Sequence, residues 1–148
     1  MDLAEWIRLR FEKPRVTMQE LSRRSVVNIV VGNTDDHPRN HAAFWDGPTL
    51  ALTPAFDVCP QPRSTGESSQ AVTFNTNGDR RARLSACVAA AGVFGRSERE
   101  ATSVTEQCAS VVLGQYEDVC ATLGVTDATR TLSWWRAVAN ESVFSPLD

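Results

Sequence analysis

The chain has 148 residues, the length of one ordinary globular domain. Its composition, 42% hydrophobic and 22% charged, excludes collagen-like and disordered classes. The net charge of −3 leaves no cationic excess for nucleic acid, no apolar run is long enough for a membrane span, and Asp2 stands where a signal peptide would be basic. We therefore expect a cytoplasmic protein that binds neither nucleic acid directly nor a membrane.

The first part of the chain carries two helix patterns. Residues 2–12 show the i, i+3, i+4 spacing of an amphipathic helix, which Pro14 closes. Thr17 and Glu20 have the spacing of a capping box, in which each side chain satisfies a free backbone N–H. The apolar run that follows predicts a second, buried helix that begins at this box and ends near Gly32.

The middle of the chain is less regular. An Asp-Gly pair separates the short apolar runs 42–45 and 49–52, which is the pattern of a β-hairpin. Residues 53–83 are rich in proline and polar residues and predict a long loop. A short strand is possible within this loop at 71–74.

The C-terminal part predicts three further helices. An alanine-rich helix occupies residues 84–93. Ser97 and Glu100 form a second capping box, which opens a long helix that Gly124 stops. A last helix spans residues 127–139. The expected fold class is therefore mainly α (α+β), with one small hairpin.

The cysteines and tryptophans are interpreted as core residues. The cysteines lie far apart without a C-x-x-C pair, which favours reduced core thiols over a disulfide or a zinc site. They are Cys59, Cys87, Cys108 and Cys120. We expect Trp45 and Trp135 in the core because large aromatic side chains are usually buried, and Trp134 exposed because it must face another way.

Polar residue types that suit phosphoryl transfer occur in order along the chain. Asp35 is followed five positions later by Asn40, and Asp57 comes after the predicted hairpin. A carboxylate that orients a hydroxyl, followed by an amide oxygen and a second carboxylate for Mg²⁺, is the arrangement that protein kinases use. Asp36 lies only four positions before Asn40, so we expect it either to brace the loop or to cap a short turn instead.

The two histidines offer a different chemistry. His37 and His41 are four positions apart, beside Asp35 and Asp36. Imidazoles and carboxylates together suit Zn²⁺ or Mn²⁺, so a metal-dependent hydrolase is an alternative. Pro38 between the histidines disfavours the regular helix that would align them.

Two stretches of sequence resemble one known family. NIVVGNTDDHPRN (residues 28–40) and LTPAFDVCP (residues 52–60) are similar to the C-terminal part of HipA-like serine/threonine kinases, the toxins of bacterial toxin–antitoxin modules. The resemblance implies a helical kinase-like C-lobe over residues 1–148, with a small β-hairpin that bears the catalytic loop. By matching position, the resemblance implies that Asp35 is the catalytic base and that Arg39 lies close to the transferring phosphoryl group. It also implies that Asn40 and Asp57 bind Mg²⁺ and thereby hold the nucleotide. His37 is then a loop-supporting histidine at the nucleotide site.

The resemblance also implies cofactors and partners. The cofactors are Mg²⁺ and ATP, the substrate is a serine or threonine of a protein such as an aminoacyl-tRNA synthetase, and a HipB-like antitoxin is a partner. The chain has no G-x-G-x-x-G loop, and its single lysine, Lys13, lies at a predicted helix end rather than on a strand. We therefore expect a C-lobe without its N-lobe, inactive alone.

A lobe of this kind also has an alternative function and an expected oligomeric state. It could be a non-catalytic interaction module that binds an antitoxin or a separate N-lobe. An apolar surface left for an N-lobe would also favour association, so we expect a homo-dimer or a larger species.

Overall fold

The computed structural model describes residues 3–62, 69–70, 80–138 and 140–144. The fold is mainly α with one two-stranded antiparallel hairpin, as predicted. Its helices and strands are α1 (Leu3–Arg10), α2 (Pro14–Val30), β1 (Ala43–Trp45), β2 (Leu50–Leu52), α3 (Leu84–Ala89), α4 (Glu98–Thr122) and α5 (Asp127–Ser133). None of the helices in these ranges has the length and apolar character needed to cross a bilayer. The possible strand at 71–74 lies outside the described residues.

Helix α2 is the centre of the structure. It packs against α1, α3 and α4, and its apolar residues form the middle of the core. The largest side chains with almost no exposed surface come from α1, α2 and the C-terminal turn: Ile7, Val26, Ile29, Val30 and Val143. Apolar side chains of α1, α3 and α4 that pack against α2 fix the position of this helix. The candidate site follows directly after the last turn of α2.

The start of α2 differs from the prediction. The helix begins at Pro14, three residues before the expected cap, and Thr17 is buried inside it. Proline is favoured at the first helical position because its missing N–H would have no partner there and its φ is already helical. The N–H of Thr17 donates to the carbonyl of Lys13 (2.9 Å), so the predicted capping box at Thr17 is wrong.

The end of α2 agrees with the prediction. The helix stops at Val30, and Gly32 has φ +76°, a left-handed conformation that favours glycine. A Cβ at this position would lie 2.9 Å from the carbonyl oxygen of Ala137 and 3.0 Å from that of Gln61. The chain therefore needs glycine here for its backbone angle and for the close approach of two other segments.

The hairpin forms where it was predicted. Trp45 pairs with Leu50, and the turn is closed by Asp46, whose carboxylate accepts from the N–H of Thr49 (2.9 Å). The hairpin is tied to the α1–α2 connection by a bond from the Glu12 N–H to the Leu50 carbonyl (3.0 Å). Trp45 is 76% exposed, so its predicted place in the core is wrong.

The capping box of α4 is confirmed. The Ser97 hydroxyl accepts from the Glu100 N–H (3.3 Å), and the Ser97 N–H donates to the Glu100 carboxylate (2.8 Å). This backbone hydrogen bond lowers the pKa of the Glu100 carboxyl. The helix ends before Gly124, which has φ +65°.

The last predicted helix is divided. The α-helical part ends at Ser133, and residues Trp134–Val138 form a π-helical turn. Trp134 is half-buried against the ring of Tyr116, with 4.9 Å between ring centroids, rather than exposed as expected. The Trp135 side chain and Ala139 lie outside the described residues.

The four cysteines are free thiols, as expected. Cys87 and Cys120 are buried and Cys108 is half-buried, whereas Cys59 is exposed, so the core prediction is wrong for Cys59. Cys59 lies in the extended segment after β2, which runs over the surface. Burial raises the pKa of the Cys87 thiol to about 12, so this thiol stays protonated at neutral pH.

Candidate active site

The candidate site consists of two segments that the hairpin brings together. Loop 32–41 follows α2, and segment 53–61 follows β2. The amide nitrogen of Asn33 donates to the carbonyl of Asp57 (3.1 Å), and the N–H of Gln61 donates to the carbonyl of Gly32 (3.3 Å). The structure therefore places Asp57 beside the loop that carries Asp35 and Asn40, although these residues are separated along the chain.

Asp35 and Asn40 are joined within the loop. The Asn40 amide nitrogen donates to the carbonyl of Asp35 (2.9 Å), which also accepts from the N–H of His37 (2.7 Å). Asn40 is buried and Asp35 is exposed. Because the amide nitrogen of Asn40 is engaged by the backbone, the amide oxygen is the atom left to act as a ligand.

Asp57 has an unusual backbone. Its φ of +57° is the one left-handed value of a non-glycine residue in the described part of the chain. Asp tolerates this conformation better than most residues, and such outliers concentrate at functional sites. The backbone carbonyl is held by Asn33, whereas the carboxylate is exposed.

Two buried asparagines, Asn28 and Asn33, support the backbone of Asp57. Neither was predicted as a site residue. The Asn33 amide nitrogen donates both to the Asn28 side-chain oxygen (3.1 Å) and to the Asp57 carbonyl. Asn28 interrupts the apolar end of α2, and a polar residue in a buried helical run is the signal that could have identified it.

Arg24 holds the other end of segment 53–61. Its side chain is buried, its Nη2 donates to the carbonyl of Thr53 (2.6 Å), and its Nε donates to Glu20 (3.1 Å). A hydrogen bond from a charged group to a backbone carbonyl is among the stronger kinds. No local sequence pattern indicates Arg24, because its partner lies 29 positions away.

Asp36 braces loop 32–41, as expected. Its carboxylate lies 2.9 Å from Nε2 of His41, and the two side chains are 6% and 4% exposed. A buried carboxylate requires a hydrogen-bonding partner, and His41 supplies it.

His37 and Arg39 lie on the outer part of the loop. Nδ1 of His37 accepts from the N–H of Arg39 (3.4 Å), where it caps the short helical turn Pro38–Asn40. The Arg39 side chain is exposed. The bond at His37 is consistent with a loop-supporting histidine, and Arg39 is accessible to a ligand.

The hydrolase alternative requires the two histidines and the neighbouring carboxylates to form one cluster. His41 directs Nε2 at Asp36, and His37 uses Nδ1 for the backbone of its own loop. Over residues 3–62, 69–70, 80–138 and 140–144, no three His, Cys, Asp or Glu side chains form a cluster that could hold a metal ion.

The residues at this site fit Mg²⁺ by their donor chemistry. Mg²⁺ takes hard oxygen ligands and usually keeps waters and phosphate oxygens beside one or two protein groups. Asn40 offers its amide oxygen, because its nitrogen is bonded to Asp35, and Asp57 offers an exposed carboxylate on a held backbone.

A cavity of about 280 Å³ lies between α2, loop 32–41 and segment 53–61. Six of its lining residues are Arg24, Asp36, Asn40, His41, Phe56 and Val58. Asp35 and Asp57 do not line it. The cavity therefore shares Asn40 with the candidate metal ligands but not the two exposed carboxylates.

The comparison with known families identifies the family to which this domain belongs. The fold and the site together define one class of structure. It is a helical domain in which a loop that carries an Asp and an Asn is bonded, through buried amide side chains, to an Asp that comes later in the chain. The family model of the HipA-like C-terminal domain matches residues 1–116, and the chain belongs to this family. The matched region includes loop 32–41 and segment 53–61. No curated protein and no solved structure was found to match.

Proposed function

We propose that this domain forms the C-terminal half of a protein serine/threonine kinase centre. The observation that carries the proposal is that Asn40 and Asn33 bind the backbone carbonyls of Asp35 and Asp57, while both carboxylates stay exposed. Rigid backbones with accessible side chains are what positioning and electrostatic catalysis require.

The roles follow from the chemistry of each group. Asp35 accepts the proton of a substrate serine or threonine hydroxyl, and Arg39 lies close to the transferring phosphoryl group. Asn40 and Asp57 hold Mg²⁺ and thereby the phosphates of ATP, and His37 supports the loop. Mg²⁺, when bound, neutralises the negative charge of the phosphates.

Partners belong to the same proposal. The substrate is a protein, for example an aminoacyl-tRNA synthetase, and the domain acts in the cytoplasm as part of a toxin that a HipB-like antitoxin restrains. A separate N-lobe would supply the loop over the phosphates that no described residue provides.

The test of the kinase proposal is a calorimetric titration of the chain with Mg²⁺ and ATP. We expect saturable binding in the wild type and at least about tenfold weaker binding in Asp57→Asn, because the substitution removes the ligand charge while keeping its shape. Asp118→Asn makes the same chemical change on the exposed side of α4 and should leave the affinity unchanged.

Two results would contradict the metal assignment. One is an Asp57→Asn variant that binds Mg²⁺ and ATP as tightly as the wild type. The other is an equal loss of affinity in Asp118→Asn. Absence of binding in the wild type would contradict the proposal that this chain holds the nucleotide and would leave the interaction module described next.

A non-catalytic interaction module is the second candidate function, and an exposed aromatic surface favours it. Phe44 and Trp45 on the hairpin are 64% and 76% exposed, and Trp6 on α1 is 45% exposed. Trp6 and Trp45 line one groove together with Arg10 and Pro48. Exposed aromatic residues that share a groove are typical of protein-binding surfaces.

We expect this aromatic surface to make the chain a dimer at micromolar concentration, with a molar mass by light scattering about twice that of the monomer. Trp45→Ser should return it to a monomer, because the substitution removes exposed apolar area without opening the core. Leu123→Ser, at a 72% exposed position after α4, is the matched control and should stay dimeric. A wild type that is monomeric throughout would refute self-association by this surface.

A further inference from the structure

The register of the hairpin determines which backbone groups of β1 point away from β2. Bonds run from the Asp46 N–H to the Thr49 carbonyl (3.4 Å) and from the Thr53 N–H to the Ala42 carbonyl (3.0 Å). In an antiparallel ladder, hydrogen-bonded residue pairs alternate with non-hydrogen-bonded ones. Positions 42, 44 and 46 therefore bond toward β2, whereas positions 43 and 45 direct their N–H and C=O groups outward.

The outward groups of β1 form a free strand edge. Among the residues that the structure describes, none forms a hydrogen bond with the backbone N–H or carbonyl of Ala43 or Trp45. The strand packs mainly against β2, and the side chains of Phe44 and Trp45 are exposed. Charged residues, prolines and bulges protect natural sheet edges from other strands, and Ala43–Trp45 contains none of these. This edge is therefore open to a further strand.

We propose that β1 pairs antiparallel with β1 of a second copy of this chain, about a two-fold axis at Phe44. This pairing rests on the self-association proposed for the aromatic surface, and it names the strand that joins the two copies. With the axis at Phe44, Ala43 of each copy lies opposite the partner's Trp45. Each of these pairs then exchanges two hydrogen bonds through the outward N–H and C=O groups, and the two hairpins become one continuous sheet.

The side chains of β1 complement each other in this register. On one face, each Trp45 ring lies beside the partner's Ala43, so a large side chain meets a small one. On the other face, the two Phe44 rings meet across the axis, in the non-hydrogen-bonded kind of pair in which side chains come closest. Asp46 falls opposite the partner's Ala42, so the two carboxylates stay at opposite ends of the paired strands. This match in size and charge favours a second copy over an unrelated extended peptide.

The first test traps the two-fold axis with a disulfide. The background variant Cys59→Ser removes the exposed native thiol. Phe44→Cys then places one thiol of each copy at the axis, where Cα atoms about 4.5 Å apart are within the range of a disulfide. We expect oxidised glutathione to convert most of this variant into a covalent dimer, measured on a non-reducing gel. Ala51→Cys is the matched control on the same exposed face, and its two thiols lie three strand spacings apart, about 14 Å, so it should not be trapped.

The second test removes one outward backbone donor. Ala43→Pro deletes the N–H that points away from β2 and keeps the inward bonds of the neighbouring positions, so the hairpin is retained. We expect the molar mass by light scattering to fall from that of a dimer to that of a monomer, with an unchanged circular dichroism spectrum. Ala43→Ser keeps the N–H at the same position and should stay dimeric.

The outcomes separate the strand pairing from self-association in general. A wild type that is monomeric at micromolar concentration overturns both. A wild-type dimer that Trp45→Ser dissociates and Ala43→Pro leaves intact overturns the strand pairing alone and means that side chains hold the copies together. The pairing is also overturned if Phe44→Cys is not trapped, if Ala51→Cys is trapped equally, or if Ala43→Ser dissociates as fully as Ala43→Pro.

Discussion

We expect Gly32→Ala to lower the free energy of unfolding by about 3 kcal/mol, since it adds the cost of a left-handed residue to that of forcing atoms into filled space. The new Cβ would lie 2.9 Å from the Ala137 carbonyl oxygen and 3.0 Å from that of Gln61. Both neighbours are backbone atoms, so relief requires the turn after α2 or segment 53–61 to move. Urea denaturation followed by circular dichroism measures the loss.

Gly95→Ala is the control for the backbone angle. Gly95 has a similar φ of +66°, but nothing lies within 4 Å of the position where its Cβ would be. We expect a loss of about 1 kcal/mol, the cost of the left-handed conformation alone. Equal losses in the two variants would show that the close approach at Gly32 contributes nothing.

The second large effect concerns the buried pair Asp36–His41. We expect His41→Ala to lower the free energy of unfolding by about 3 kcal/mol, because a buried carboxylate that loses its partner keeps the full cost of its removal from water. The side chains are 6% and 4% exposed, so water contributes little to this pair in the wild type. The same urea denaturation measures it.

A double-mutant cycle separates this pair from a simple loss of packing. Asp36→Ala/His41→Ala removes the charge together with its partner, so we expect the double variant to be at least as stable as His41→Ala. The cycle also requires the single variant Asp36→Ala. If the losses of stability in Asp36→Ala and His41→Ala add up to the loss in the double variant, the two groups are not coupled.

The elements predicted correctly depend on local chemistry. Ser97 and Glu100 satisfy each other's backbone N–H groups three residues apart, and Asp46 closes a turn with Thr49. These interactions are complete within a few residues, so the sequence pattern contains them. The box at Thr17 failed because the same side-chain pattern fits inside a helix once Pro14 provides an earlier start.

The burial of individual side chains was harder to predict, because it depends on which distant segments of the chain pack against each residue. Trp45 has the residue type and strand position of a core side chain, but its side chain is exposed on a hairpin that bonds to the α1–α2 connection through the backbone of Leu50. Cys59 is also exposed, in segment 53–61, which contains no helix or strand. Residue type alone could not distinguish these positions from the core.

The residues proposed to carry the chemistry of the candidate site could be identified from the sequence. The residues that hold its two segments in place could not. Asp35, Asn40 and Asp57 follow from residue type and spacing. Asn33 and Arg24 act through bonds to carbonyls 24 and 29 positions away, and no local pattern contains that pairing. Their positions on and just after α2 show that this helix organises both segments of the site.

Three of the hydrogen bonds that hold segment 53–61 together have a thermodynamic consequence. Arg24, Asn33 and Gly32 fix it near its start, middle and end, although the segment contains no helix or strand. The conformational entropy of these residues is therefore lost when the chain folds and not when a ligand arrives. The proposed affinity of this segment for a cation should thus decline together with global unfolding, at the same denaturant concentration and without an earlier local transition.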